Sequence, residues 1–246
     1  MRIVASMTTI PSRIDRIRPV LENVLSQTVP VAYIELNLPH VCIRTSELYL
    51  VPPWLEEFDR VNIFRTPDQG PITKIAPTLI RYRDDTDTYI WSVDDDIAYQ
   101  KDQLEKLLKC YRPSHKQILC RYGGVIGPDG TINFQYGETP VTMFEGFGTV
   151  LYPPECIGDD FPQYVEEVSL NPDCRISDDV VLSHYFTTRG IQIFLCHSAS
   201  GDEPWLPRDT LPHASEGQAL HLQSGGHLDR YKRVYQILSR RNVRAR

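Results

Sequence analysis

Residues 88–98 read TYIWSVDDDIA, and no other stretch limits the possible folds so tightly. Tyr89, Ile90, Trp91 and Val93 form a run of β-branched and aromatic side chains, which predicts a buried strand. That strand ends directly in Asp94, Asp95 and Asp96. Three adjacent carboxylates repel one another and lose hydration at the mouth of a core strand, so a compensating cation is expected nearby. In open α/β sheets the carboxyl end of a strand is also where ligands bind. On an extended backbone Asp94 and Asp96 point to one side and Asp95 to the other. The pattern predicts a divalent ion, Mg²⁺ or Mn²⁺, held between carboxylate oxygens and the phosphates of a ligand. The competing reading is a solvated acidic turn that only ends the strand.

The rest of the chain supplies the frame. Strands are predicted at Ile3–Met7, Tyr33–Leu38 and Val61–Arg65. Ile14, Ile17, Leu21, Val24 and Leu25 fall at helical spacing behind a Ser12 cap, with Pro19 starting the regular part. Ile72, Ile75, Ala76, Leu79 and Ile80 predict a second helix, and Leu104, Leu107, Leu108 and Tyr111 a third. This alternation is the signature of a parallel sheet flanked by helices. Beyond it, Gln117–Arg121 and Thr131–Tyr136 flank a GPDG turn and read as a hairpin. Later come a strand at Thr149–Tyr152, a helix opened by Ser177-Asp178-Asp179 and closed by Gly190, and a strand at Ile191–Cys196. Residues 198–217 form a Pro- and Gly-rich loop, Leu228–Ser239 a last helix, and RRNVRAR a frayed basic tail. One mixed α/β domain with a C-terminal extension is expected.

Composition narrows the function. The net charge of −6 speaks against a dedicated nucleic-acid binder. No apolar run can span a bilayer and the N-terminus lacks a signal-peptide core, so a cytoplasmic protein is expected. Six scattered cysteines without a CxxC pair read as buried thiols.

Four segments in order give a resemblance: ASMTTIPSR, DQGPITK, VDDDI, and GFGTVLY followed by SDDVVLSHYF. Together they resemble GT-A-fold glycosyltransferases with nucleotide-sugar donors, of the kind that decorate surface glycans in large DNA viruses and bacteria. The resemblance implies a GT-A, Rossmann-like, mixed and mostly parallel sheet with a small hairpin region. It divides the single domain into a nucleotide-sugar half (1–121), an acceptor half (122–200) and a loop plus C-terminal helix (201–246). It implies a hexosyl- or deoxyhexosyltransferase that uses Mn²⁺ or Mg²⁺, takes a UDP sugar, and transfers to a glycan hydroxyl with inversion. Asp96 then resembles the metal ligand, and Asp94 and Asp95 contacts to the ribose or donor sugar. Thr8, Ile10 and Arg13 resemble base- and phosphate-side contacts, Lys74 a cationic donor contact, and Asp68 a base reader. Asp179 resembles the catalytic base, with Asp178 its alternate. A late histidine joins the metal in many relatives. His213, His221 and His227 are the candidates, and His221 is favoured for its apolar neighbours. The chain can be a whole enzyme or one part of a longer multidomain one.

Each assignment has a plainer rival. Asp178 and Asp179 can simply complement a helix dipole, Lys74 can be solvated, and Arg13 can pair with Asp15 or Glu22. Phe147, Trp205 and Phe144 offer an acceptor-sugar platform or plain core, with Phe144 reading as core. Two other functions compete. A nucleotidyltransferase would carry a glycine-rich phosphate loop after the first strand, where this chain has TTIPSR. A catalytically silent sugar- or nucleotide-binding module would not need both acidic motifs.

Overall fold

A computed structural model of the chain describes residues 1–112, 116–196, 211–212 and 227–244. The strands are β1 (Arg2–Met7), β2 (Tyr33–Leu38), β3 (Val61–Arg65), β4 (Thr88–Ser92), β5 (Gln117–Cys120), β6 (Gly123–Ile126), β7 (Ile132–Phe134), β8 (Glu138–Val141), β9 (Met143–Phe144), β10 (Val150–Tyr152) and β11 (Gln192–Cys196). The helices are α1 (Arg18–Leu25), α2 (Ala76–Arg81), α3 (Gln103–Leu108), α4 (Phe161–Ser169), α5 (Pro172–Arg175), α6 (Asp178–Thr188) and α7 (His227–Arg244).

Eight strands form one sheet in the order β3-β2-β1-β4-β10-β5-β11-β8. β1 to β5 and β11 run the same way, while β10 and β8 run against them. The expected mixed, mostly parallel, Rossmann-like sheet flanked by helices is therefore the observed one. The strand order turns back between β1 and β4, which opens a crevice beyond their carboxyl ends. β10 runs in reverse, so the residues that lead into it, Glu145–Thr149, reach the same edge.

Both faces of the sheet are covered. Val4, Ile90 and Ile118 face one buried cluster with α2, α4, α6 and α7, and their neighbours Ala5, Trp91 and Leu119 face another with α1 and α3. This is why the central strands read as continuous apolar runs rather than alternating ones. All six cysteines are buried free thiols.

Four expectations are corrected. The GPDG hairpin pairs β6 with β7 in register Val125↔Asn133, and β9 joins it in a small second sheet. Gln117–Cys120 is instead a fully buried strand of the main sheet, held between β10 and β11. The N-cap positions are not at Ser12: Arg13 stands before the first 3₁₀ turn and Ile17 before α1, which begins at Arg18 with Pro19 in its first turn. Two helices were not foreseen. In α4, Phe161, Val165 and Val168 make a buried stripe, and in α5 the Asn171 side chain accepts from the Asp173 and Cys174 N–H groups at 3.0 and 3.2 Å. Lastly, α7 continues through most of the basic tail, which contains no helix breaker, and it buries Tyr231, Val234 and Leu238 in the first cluster.

Candidate functional site

At the carboxyl edge of the sheet lies a cavity of about 880 Å³. The loop after β1 brings Thr8, Thr9, Ile10 and Arg13 to its wall, and the end of β4 brings Asp94, Asp95 and Asp96. Lys74 arrives from a 3₁₀ turn ahead of α2, and Asp178 and Asp179 form the first turn of α6. The sequence positions thus converge: Ile10 and Asp68 line the same cavity as well.

Two cations organise the acids. Arg13 Nη1 lies 3.0 Å from Asp95 Oδ1 and 2.9 Å from Asp96 Oδ2, and the Thr9 hydroxyl donates to Asp95 Oδ2 at 2.6 Å. Arg13 is buried and is not a surface partner of Asp15 or Glu22. Lys74 is buried too. Its ammonium donates to Asp94 Oδ1 at 2.9 Å and stands 3.2 Å from Asp178 Oδ2, so it bridges the two acidic motifs. The main-chain carbonyl of Lys74 accepts from Ser6 Oγ and Asn37 Nδ2, which fixes the lysine at its root. Asp179 is held at both oxygens: the Gly146 N–H donates to Oδ1 at 2.9 Å and the Tyr231 hydroxyl to Oδ2 at 2.9 Å. A Cβ on Gly146 would stand 2.8 Å from both Asp179 Oδ1 and the Lys74 ammonium, so this backbone approach needs glycine.

Burial sets the proton affinities. It pushes the Asp96 carboxyl up to about 7, with Asp95 and Asp94 adding to the rise and Arg13 opposing it. Asp95 is raised by burial against the pull of Arg13 and Thr9. Asp179 rises well above the carboxylate range, through burial first and then the neighbouring Asp178, with Lys74 and Tyr231 opposing. Burial alone would lower the Lys74 ammonium, yet Asp178, Asp94 and Asp179 outweigh it and hold the lysine firmly charged.

Among the described residues no three His, Cys, Asp or Glu side chains form a metal cage. The acidic edge nevertheless fits a hard divalent ion that draws the rest of its shell from ligand phosphates. Arg13 engages one oxygen of Asp96, and the raised proton affinity of that crowded carboxyl is what a second cation would relieve. His213 and His221 lie outside the described residues, as does Trp205, and His227 opens α7. Of the predicted loop 198–217, only Leu211 and Pro212 are described, and the Leu211 N–H donates to the Asp96 carbonyl at 2.9 Å.

No family model matches the sequence, and no curated protein matches it. Two solved structures are similar in fold at 12% identity. One is a 4-diphosphocytidyl-2C-methyl-D-erythritol synthase, with a TM-score of 0.42 over 70% of this chain and 87% of that one. The other is the 2-C-methyl-D-erythritol 4-phosphate cytidylyltransferase of Francisella tularensis, with a TM-score of 0.45 over 85% of this chain and 94% of that one. Likeness this distant carries no chemistry from one protein to another.

Several predicted positions have tasks of their own. Thr8 Oγ1 donates to the Asn37 carbonyl at 2.7 Å. Asp68 accepts from the Gly70 N–H at 2.8 Å and the Ile43 N–H at 2.7 Å, and so ties two loops together beside the cavity. Phe144 is core, and half-buried Phe147 packs on Tyr122 with ring centroids 5.1 Å apart.

Other wall residues escaped the sequence. Glu145 is buried on the wall, and burial lifts its carboxyl to about 7. Its place directly before the glycine loop was the available signal. Tyr231 and Arg230 come from α7, where Arg230 Nε donates to Ser177 Oγ at 3.1 Å. Nothing in a helical pattern tells that one turn of α7 crosses the start of α6.

Proposed function

We propose that this chain is a metal-dependent, inverting glycosyltransferase that moves a sugar from a nucleoside-diphosphate donor, a UDP sugar, to a glycan hydroxyl. The observation that carries the reading is the Lys74 bridge: one buried ammonium touches Asp94 of the first acidic motif and Asp178 of the second, inside one cavity. Donor phosphates and an acceptor base belong within that reach of each other in a direct displacement.

In this reading Thr8, Ile10 and Arg13 border the nucleoside end, and Asp96 would hold Mn²⁺ or Mg²⁺. Bound there, the ion would offset the charge that builds on the departing diphosphate. Asp179 takes the proton from the acceptor hydroxyl as the new glycosidic bond forms at the anomeric carbon and the bond to the diphosphate breaks. Its raised proton affinity suits that task, and each oxygen keeps a lone pair beyond the single bond it accepts. Asp178 stays paired with Lys74.

The second reading is nucleotidyl transfer, the chemistry named for the Francisella tularensis cytidylyltransferase. A triphosphate cradle after β1 would call for glycines and a free cation. TTIPSR has no glycine, and Arg13 is committed to Asp95 and Asp96. The products separate the two: glycosyl transfer releases a nucleoside diphosphate, and nucleotidyl transfer releases pyrophosphate. A panel of UDP sugars with Mn²⁺ is expected to release UDP, and D179N is expected to keep UDP binding while lowering turnover on the order of 10²-fold. Pyrophosphate release from nucleoside triphosphates, with no UDP release from any sugar donor, would replace this reading with the second one.

A further inference from the structure

Arg121 is a buried charged group of the cavity that the proposed reaction does not use. It follows β5 directly, is only 7% exposed, and lines the cavity wall. Its Nη1 donates to the Cys196 carbonyl at 2.6 Å, and its Nε is buried without a hydrogen-bond partner among the described residues. No carboxylate among the described residues forms an ion pair with it, whereas Arg13 and Lys74 in the same cavity are each paired with two. A guanidinium taken out of water with one carbonyl as its partner is a poor structural choice, and an anion arriving from the cavity repairs it.

That anion is not the donor diphosphate. β10 separates β4 from β5, so the start of Arg121 stands two strand spacings, roughly 10 Å, from the end of the aspartate strand. Its guanidinium reaches further away still, toward the end of β11 at Cys196. The neighbours there suit a sugar ring. Tyr122 is the next residue, and it forms a half-buried aromatic wall with Phe147 and with Phe134, whose ring centroid is 6.1 Å from its own. Aromatic faces take the apolar face of a pyranose, and a guanidinium fork beside them takes a planar carboxylate in two parallel hydrogen bonds.

Resting on the glycosyltransferase reading, we propose that this far end of the cavity is a subsite for an acidic sugar, a hexuronate-type ring whose carboxylate is bound by Arg121 and whose face stacks on Tyr122 and Phe147. The ring belongs either to the donor or to the acceptor, and the two are separated by the choice of probe.

Titration calorimetry on the full chain with Mn²⁺ tests it in two arms. The donor arm compares UDP-glucuronate with UDP-glucose. The acceptor arm holds UDP saturating and compares methyl glucuronide with methyl glucoside. In one arm the carboxylate-bearing probe is expected to bind about tenfold or more tightly than its neutral partner, the size of a charge-assisted pair. R121Q is expected to erase that preference while leaving UDP affinity at the wild-type level. Equal affinities in both arms, or a preference that survives R121Q, would overturn the assignment. Should R121Q fail to fold, R121K keeps the charge but not the fork, and a preference that it does not weaken would equally sink the role of Arg121. UDP alone is the control on the underlying reading. Its failure to bind strikes the donor site itself, whereas UDP binding with no carboxylate preference strikes this inference alone.

Discussion

Lys74 shows how little of a site a single residue discloses. As a letter it is one more lysine, and base rates put it in solvent. In the fold it is buried between Asp94 and Asp178, partners from distant parts of the chain that no local pattern connects. The aspartate triplet was legible because its charge clashes with the apolar strand before it, a conflict visible inside a few residues. Glu145 was not, because its burial depends on the neighbours of β10 and the small sheet. It also gives a clean prediction. Its carboxyl moves from an ordinary 4.5 to about 7, so the stability tied to its neutral form is present below about pH 4.5 and is lost as pH rises through about 7. E145Q, which mimics that neutral form, is expected to match the wild type in urea unfolding at pH 4.5 and to exceed it by about 3 kcal/mol at pH 8. A variant less stable than the wild type at pH 8 would show that the charge is favoured there. Tyr231 offers a second case. Its hydroxyl stabilises the Asp179 carboxylate, so Y231F is expected to raise the proton affinity of Asp179 and move the acidic limb of the pH–rate profile to higher pH. A limb that stays in place would separate Asp179 from the rate-determining proton transfer.

At the scale of elements, the first half was readable because its strands β1, β2 and β4 are nearly continuous buried runs separated by stretches of helical spacing. The middle of the chain was harder. Gln117–Cys120 is fully buried with no alternation, and a turn sequence close behind it drew it into the wrong hairpin. α5 has four residues, too few for any period, although Asn171 and Pro172 announce its start. Two glycines that border elements make opposite predictions. Gly190 ends α6 at φ +71° with open space around it, so G190A is expected to cost about 1 kcal/mol in stability and to leave activity intact. Gly146 leads into β10 without a positive φ, but a methyl there meets Asp179 and Lys74. G146A is therefore expected to lower turnover by tenfold or more, in the manner of a small displacement of reacting groups, while denaturation changes little. Equal activity losses in the two variants would mean that the glycine loop has no special bearing on the site.

Over the whole molecule, the two buried clusters on either face of one sheet make folding and site assembly a single event. Leu238 is fully buried on α7 in the same cluster as Val150 of β10 and Val180 of α6. L238A is expected to lower unfolding stability by about 2–4 kcal/mol, with tryptophan fluorescence and circular dichroism falling together in one transition. Separate transitions for the two signals would make α7 an independent appendage. The sequence alone presented this helix as an extension, because its contacts with α6 and with Asp179 lie far away along the chain. Its position has a consequence during synthesis. A nascent polypeptide whose residues 227–238 are still inside the ribosomal tunnel has made Asp94–Asp96, Asp178 and Asp179 but lacks the Tyr231 and Arg230 contacts to α6. In such a chain Asp179 still lacks the hydroxyl that holds its second oxygen, and the wall of the cavity closes only when α7 docks.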